Sequence, residues 1–571
     1  MPLYSPPDLS ESSEKNACFY PWLALSAALL MLVRLAVTIP TFSPTIDEPA
    51  HIGAAVSMIE AHKLIAPGSH PPLARLVAAV PLWLGGARLP QCRGQTAIGT
   101  EDLGYDLGAR VLAQSESFRA LLTQARLAML IFPLIALLYL YLLANSLSGP
   151  AVAAIAVVFL TLDPTFLGHG FWIGNDMAGC AGYLAAVYHG LRWLKNPTWE
   201  FAAVTGIALG LAISAKFSCL LAIPTLALLA LINRRPWRRL LGHAILIAAI
   251  AFSTLWATYF FNIGSLSDQA GLTGSTGNAA SESMRQQWQH VPHFIRIAII
   301  PMPSFFLALA RLMLHNRFGH GAYLNGQVSS RGWWYYFPEV FTLKSTLGFL
   351  AALLLAIALA TVHRRWRAWP TIAVILPAGV FLTAAMAGNI DIGIRYILPA
   401  IPFLYLFVVQ QLSRPRWQWI LALLMLCSAV EGAALHPDYL SYFNLVAGGP
   451  AGGQRFALDS NIDWNQDVYR MAEWIDRNAA GRPYAIRLNG SRNAWLLARL
   501  GLNRFAIDAP PHGHLLFISK NVRCIDRTLT WLQNHHPIAQ IGDSIDVYDL
   551  TGPPTPDEPD DMPMHDPTAG W

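Results

Sequence analysis

At 571 residues, 54% hydrophobic and only 13% charged, with a mean hydropathy of +0.39, the chain carries more apolar surface than a water-soluble core would bury, and it reads as an integral membrane protein. The net charge of +5 is modest and its basic residues sit in short clusters between apolar runs, which excludes a polynucleotide-binding surface. Six scattered cysteines, with neither a CxxC pair nor a metal-ligand spacing, exclude a disulfide framework and a zinc site.

The first apolar run, Pro21 to Phe42, is too long for a signal-peptide core and has no basic segment before it, so it is expected to stay as a span. Further spans are expected to begin near Arg126, Ala151, Asp176, Phe201, Phe217, Leu240, Ser345, Pro370, Arg395 and Trp417, eleven in all. With a cytoplasmic N-terminus, alternation brings Arg192 and Lys195, the Arg234-Arg235-Pro236-Trp237-Arg238-Arg239 cluster, His363-Arg364-Arg365-Trp366-Arg367 and Arg414-Pro415-Arg416 to the cytoplasmic side, as the positive-inside rule requires. The odd number of spans then leaves the C-terminus outside.

This orientation leaves two long external segments, Ser43 to Gln124 and Gly264 to Lys344. Glu48 to Lys63, Pro72 to Arg88 and Pro292 to His315 are expected as helices lying along the interface. The glycine- and serine-rich stretch Gly271 to Ser283 is expected as a mobile loop of the kind that covers sites. After Leu435, β-like runs (Tyr484 to Asn489, His514 to Ser519, Ile545 to Tyr548) alternate with helical patterns (Gln466 to Asn478, Arg492 to Leu500, Arg523 to Asn534). The expected architecture is therefore mainly α. A polytopic helical membrane domain spans 1–435, a small external α/β domain 436–552, and an acidic, proline-rich disordered tail 553–571.

Ionisable residues interrupt the apolar pattern toward the external ends of spans: Asp47 and Glu48, Asp163 and His169, Asp176, Lys216, Asp391 and Arg395. Charges beside a membrane are costly, so a convergent set of both signs points to a site. Acidic groups supply a base, and Lys216 with Arg395 suit an anion such as a lipid phosphate. Each has a plainer role open to it. Asp47 suits a helix N-cap with Pro49 early in the helix, Asp163 before Pro164 suits the end of a span, and Lys216 and Arg395 suit snorkelling to the interface. Trp333-Trp334-Tyr335-Tyr336 fits an interfacial aromatic belt better than a sugar platform. His51, His70, His290 and His320 say little one by one.

Taken together, Asp47-Glu48-Pro49-Ala50-His51 followed by His70-Pro71-Pro72-Leu73-Ala74-Arg75 resembles the first external loop of bacterial GT-C membrane glycosyltransferases, in the protein O-mannosyltransferase (GT39) and aminoarabinose-transferase-like group. The resemblance continues in order through Leu162-Asp163-Pro164, His169-Gly170, Asp176, Lys216-Phe217, Gly332-Trp333-Trp334-Tyr335-Tyr336-Phe337-Pro338 with Lys344, and Ile392-Gly393-Ile394-Arg395-Tyr396. It ends in Tyr439-Leu440-Ser441-Tyr442-Phe443-Asn444 and Asp459-Ser460-Asn461-Ile462-Asp463-Trp464.

The resemblance implies a donor sugar on a polyprenyl phosphate and a reacting role for Asp47. The expected catalytic residues are Asp47, with Glu48 or Asp163 orienting an acceptor hydroxyl. Lys216 and Arg395 are expected on the donor phosphate with His51 and His320 as lesser partners, and His70, His169, Asp176, Trp333 and Asp391 around the substrates. No cofactor is required for such a leaving group, and an oxygen-coordinated divalent cation stays open. The acceptor is a protein, a lipid or a glycan on the extracytoplasmic face of what is expected to be a bacterial inner membrane. The competing class is a transporter or flippase of a lipid-linked sugar; it is opposed by the lack of an internal repeat and by charges that favour one face over the midplane.

Overall fold

The computed structural model describes residues 19–61, 70–89, 101–233, 237–267, 288, 290–479, 481–489, 493–502 and 513–552. The expected mobile loop at 271–283, the Arg234-Arg235 pair and the acidic tail lie outside the described residues.

The protein is mainly helical, and a helix or 3-10 turn begins close to every expected span start except Arg126. In chain order the principal helices are α1 (Phe19–Thr38), α2 (Glu48–Ala61), α3 (Leu73–Leu84), α4 (Glu101–Gln114), α5 (Phe118–Met129), α6 (Ile131–Ser148), α7 (Pro150–Leu160), α8 (Asp176–Lys195) and α9 (Trp199–Ala215). They continue as α10 (Ala222–Ile232), α11 (Trp237–Thr258), α12 (Pro303–Phe318), α13 (Tyr336–Lys344), α14 (Leu347–Val362), α15 (Trp369–Met386), α16 (Ile401–Leu412), α17 (Gln418–Ala434) and α18 (Val468–Asn478). Among the described residues, five helical stretches are long and apolar enough to cross a membrane alone: 19–41, 118–148, 240–258, 369–386 and 394–412. The bent pair α13 and α14, turning through 119°, makes a sixth if counted as one span. The chain is an integral membrane protein.

With no water to squeeze out between helices in lipid, close approach of small residues has to hold them together. Gly206 and Gly210 form a small-xxx-small pair on α9. A Cβ on Gly206 would stand 2.8 Å from the Ile250 side chain, and one on Gly210 2.6 Å from the Ala251 carbonyl of α11.

Several elements differ from expectation for local reasons. The span expected from Arg126 begins at Phe118, because α5 and α6 run on as one 31-residue stretch. Glycine and charge hide α4 from periodicity, yet its Gly108 lets it meet α2 so closely that a Cβ there would lie 1.7 Å from the Pro49 carbonyl. The interfacial helix expected over Pro292 to His315 is not continuous. Pro301 and Pro303 flank Met302, whose φ is +42°, so a one-turn helix (His293–Ile297) and a strand precede α12.

Two short antiparallel strand pairs lie between α11 and α13. β1 (Ile263–Ser265) pairs with β2 (Ile299–Pro301), and β3 (Ala322–Leu324) with β4 (Gln327–Ser329). After α18, β5 (Tyr484–Arg487), β6 (Leu515–Ser519), β7 (Ala539–Ile541) and β8 (Ile545–Asp549) form one sheet in the order β5-β6-β8-β7, with β5 and β6 parallel and the other pairs antiparallel. The expected helix at Arg523 to Asn534 is split into Lys520–Ile525 and a 3-10 segment Arg527–Asn534, because Asp526 ends the first and caps the second through the Thr528 amide.

Candidate active site

Asp47 lies in the turn between α1 and α2, and its neighbours decide what its carboxylate is free to do. The Thr45 amide donates to Glu48 Oε2 at 2.9 Å while the Glu48 amide donates to Thr45 Oγ1 at 3.3 Å. This reciprocal pair has the pattern of a capping box at the entry to α2; Asp47 precedes the helix, and its carbonyl accepts the His51 amide at 3.3 Å. The same loop is tied to the chain after α17: the Ser43 and Ile46 amides donate to the carbonyls of Gln466 and Trp464 at 2.9 and 3.1 Å.

Arg395 approaches from the other side. It follows a turn held by Ser460 Oγ, which donates to the Ile392 carbonyl, and by Asn461 Oδ1, which accepts from the Ile394 amide. Its guanidinium lies 4.3 Å from the centre of the Trp464 ring. From there Nη1 reaches Asp47 Oδ2 at 2.9 Å and Asp176 Oδ2 at 3.7 Å, and Asp176 Oδ1 accepts from Lys216 Nζ at 2.6 Å.

Lys216 reaches Asp176 because α9 ends there in extended backbone and because α8 carries glycine one turn in. A Cβ on Gly179 would stand 2.8 Å from the Lys216 Cβ. Four of the expected residues, from four separate segments, thus form one alternating chain: Asp47, Arg395, Asp176, Lys216. The Asp47 side chain is 40% exposed, against 12%, 11% and 10% for the other three, so the chain opens to solvent at its Asp47 end.

Around this chain sit His51 and His70, their rings stacked at 5.4 Å. Arg75 Nε donates to His51 Nδ1 at 3.3 Å, and burial together with the Arg75 charge holds the His51 imidazole well below its usual pKa. The neutral ring therefore carries its proton on Nε2, as a donor. Asn175 bridges to His70 Nδ1 at 3.0 Å. His169 shows the opposite tautomer: its Nδ1 bonds the Thr165 carbonyl at 2.9 Å, and its buried Nε2 has no partner among the described residues. Burial brings its pKa down to about 4, so Nε2 offers a lone pair.

Other expected residues are placed elsewhere. Glu48 is fully buried, and both its oxygens are occupied, by Arg126 at 2.6 and 2.9 Å, the Thr45 amide and the Ile173 amide at 3.0 Å; this ion pair fixes the loop and leaves nothing to orient an acceptor. Asp163 caps the one-turn helix Pro164–Gly168 through the Phe166 amide at 2.7 Å and accepts from Tyr405 at 2.5 Å, in a site buried enough to raise its carboxyl to about 6. Asp391, also raised to about 6 by burial, accepts from the Trp333 amide at 2.6 Å, so the contact with Trp333 is through its backbone. His320 sits where α12 meets the 388–389 turn, paired with His315 at 2.9 Å and donating its amide to the Asn389 carbonyl.

Three residues were missed as site members. Arg75 ends the His70–Arg75 motif, and Asp459 and Trp464 bound the Asp459–Trp464 motif; the Asp459 φ of +59° is uncommon for a non-glycine residue. Burial pushes the Asp459 carboxyl up against the pull of Arg395. The signal available was the motif around each. Among the described residues no group of three or more His, Cys, Asp or Glu side chains is arranged to hold a metal.

Residues 117–257 match the family model described as dolichyl-phosphate-mannose-protein mannosyltransferase. No curated protein matches the chain. Among solved structures, the chain is similar to ArnT from Cupriavidus metallidurans bound to undecaprenyl phosphate, at 14% identity and a TM-score of 0.48, covering 94% of this chain and 99% of that one. It is also similar to the archaeal oligosaccharyltransferase AglB from Archaeoglobus fulgidus in complex with an inhibitory peptide and a dolichol-phosphate, at 15% identity and a TM-score of 0.42, covering 85% of this chain and 64% of that one. A third is the S. cerevisiae protein O-mannosyltransferase Pmt1-Pmt2 complex bound to the sugar donor, at 11% identity and a TM-score of 0.47, covering 73% and 90%. The family match takes in α5 to α11 nearly whole, and with them Asp163, His169, Asp176 and Lys216, so the mannosyltransferase resemblance carried by the motifs extends through the helices that build one half of the site.

Proposed function

We propose that this chain is an inverting glycosyltransferase that moves a sugar from a polyprenyl-phosphate donor to an acceptor hydroxyl on the extracytoplasmic face of the membrane. The observation that carries the reading is the alternating chain Asp47, Arg395, Asp176, Lys216, with its carboxylate end exposed and its lysine end buried. A water-borne acceptor meets Asp47 first. A lipid phosphate, whose prenyl tail stays in the bilayer, meets Lys216 and Arg395.

In this reading the donor phosphate competes with Asp47 for Arg395 and so frees that carboxylate. Asp47 takes the proton of the acceptor hydroxyl as its oxygen attacks the anomeric carbon. The carbon–oxygen bond to phosphate breaks, and the electron pair leaves with the phosphate, where Lys216 and Arg395 offset the growing charge. A single displacement of this kind inverts the anomeric centre. The family match over 117–257 supports a lipid-phosphate mannose donor in particular. We assign no metal a role, since the leaving group is already a phosphate, and EDTA is expected to leave turnover unchanged.

The test incubates the purified, vesicle-reconstituted protein with labelled polyprenyl-phosphate sugars and protein, lipid and glycan acceptors. Product with an inverted anomeric centre, lost in Asp47→Asn, supports the reading, and equal turnover in Asp47→Asn overturns it. Protein-dependent leaflet exchange of donor lipid without acceptor, persisting in Asp47→Asn, would support transport instead.

A further inference from the structure

We infer that the β1–β2 hairpin and the helical turn His293–Ile297 form an apolar finger that inserts among lipid acyl chains beside the end of α11. The inference is independent of the proposed reaction.

It begins on α11 itself. Leu241, Ile245 and Phe252 are exposed at helical spacing and form a single stripe on a helix long and apolar enough to cross a membrane, so that stripe faces lipid. The chain does not turn polar where the helix stops. Phe260 and Phe261 follow at once, both exposed and both in left-handed backbone, φ +55° and +51°, a conformation that bulky residues rarely adopt. Ile263 then opens β1.

On the returning strand Ile299 is 77% exposed, and in the helical turn before it Phe294 is 70% exposed, with Ile297 exposed between them. The register pairs Ile263 with Pro301 and Ser265 with Ile299, so Ile263 and Ile299 project from one face of the hairpin. Seven large apolar side chains (Phe260, Phe261, Ile263, Phe294, Ile295, Ile297, Ile299) thus extend the lipid-facing stripe of α11, and the one charged residue within the run 294–299, Arg296, is half-buried.

Soluble surfaces rarely expose a contiguous apolar patch of this kind. Lipid also demands that backbone polar groups be satisfied internally. The base of the finger meets that demand: the Asn262 carbonyl accepts from Trp256 Nε1 and from the Met302 amide, both at 2.8 Å, and Ser267 Oγ caps the Arg296 carbonyl at 2.6 Å.

The occupant is committed by continuity with the α11 stripe, which is already in acyl chains. The test places single cysteines at Phe261, Phe294 and Ile299 in the full chain with Cys18, Cys92, Cys427 and Cys524 replaced by serine. Each is spin-labelled in vesicles of phosphatidylethanolamine and phosphatidylglycerol, with Asp476→Cys on the exposed face of α18 as the aqueous control. Labels in the finger are expected to be relaxed more by oxygen than by a water-soluble nickel chelate, and the ratio to reverse at Asp476. A ratio at Ile299 and Phe294 matching the control overturns the inference. So does label-to-label broadening that disappears on dilution with unlabelled protein, which would assign the face to a second copy of the chain.

Discussion

The Asp47 carboxylate and the Arg395 guanidinium meet at 2.9 Å although 348 positions separate them in the chain. Arg395 does three things at once there: it contacts Asp47, comes within 3.7 Å of Asp176 and stacks on Trp464. The flat guanidinium lies over the indole while its Nη1 faces both carboxylates, a stacked geometry that a lysine ammonium does not reproduce. Arg395→Lys is therefore expected to lose catalysis despite keeping its charge. A hydrogen bond to a charged group contributes roughly 1.5–3 kcal/mol, so kcat/KM should fall about 10- to 100-fold. Steady-state kinetics with a lipid-phosphate sugar check this; wild-type kcat/KM in Arg395→Lys would show that charge alone suffices.

Glu48 adjoins Asp47 in sequence but serves stability instead. Its pair with Arg126 is wholly buried, and Arg126 also donates to the Phe42 and Ser43 carbonyls at 2.7 and 2.8 Å. Removing one member of a buried pair strands the other's charge, at a cost of about 3–5 kcal/mol. Glu48→Ala should lower the thermal unfolding midpoint and the folded yield clearly, whereas Asp47→Asn should leave both near wild type. Scanning fluorimetry of the two variants in the same detergent separates these roles. Equal midpoints would count against a structural Glu48.

Gly179 sets the reach of Lys216. An added Cβ would lie 2.8 and 2.9 Å from the Lys216 Cβ and Cδ, both inside normal contact. The helix interior favours alanine over glycine by about 1 kcal/mol, so Gly179→Ala should not unfold α8 through propensity. Its expected effect is local: Lys216 shifts from Asp176, and the dissociation constant for polyprenyl phosphate rises while the unfolding midpoint changes little. Binding measured on the folded protein tests it, and unaltered affinity would mean the lysine adapts.

The charges of the site were legible because a charge at the end of an apolar span is expensive and stands out against its surroundings. Asp47, Asp176, Lys216 and Arg395 were found on that ground, and the structure joins them. What the ground could not do was separate a charge that faces a site from one that is consumed by its own loop. Glu48 and Asp163 carry the same signal as Asp47, and only the three-dimensional partners, Arg126 and Tyr405, distinguish them. The Thr45-x-x-Glu48 capping box was visible in the sequence. Asp47 before Pro49 offers a competing cap two residues later, and local pattern does not choose between them. Trp464 and Asp459 come from a polar segment with no periodicity, and their place beside Arg395 depends on hydrogen bonds that join Ser460, as donor, and Asn461, as acceptor, to a turn far earlier in the chain, beyond any local rule. The helix starts, apart from the one expected at Arg126, were legible within a few residues because hydropathy sets them; the proline-flanked Met302 broke the expected Pro292 to His315 helix because propensity there outweighed the apolar pattern.

The segment after α17 should show a pH-dependent stability of its own. Asp467 is fully buried, with Arg470 at 3.1 Å, Ser544 donating to it at 2.7 Å, and Asp438, Asp463 and Asp543 in the same cluster. Burial and the neighbouring carboxylates outweigh the single guanidinium and raise the Asp467 carboxyl to about 7. A carboxyl whose folded pKa lies above its unfolded one binds more protons when folded, so its contribution is largest below the unfolded value, near 4, and is lost as pH rises through about 7. The unfolding midpoint is therefore expected to be higher at pH 5 than at pH 8. Asp467→Asn, which mimics the protonated form, should flatten that slope. Circular dichroism melts of both proteins across this range decide the matter: a midpoint that rises with pH in the wild type, or an unchanged slope in Asp467→Asn, would place the governing titration elsewhere.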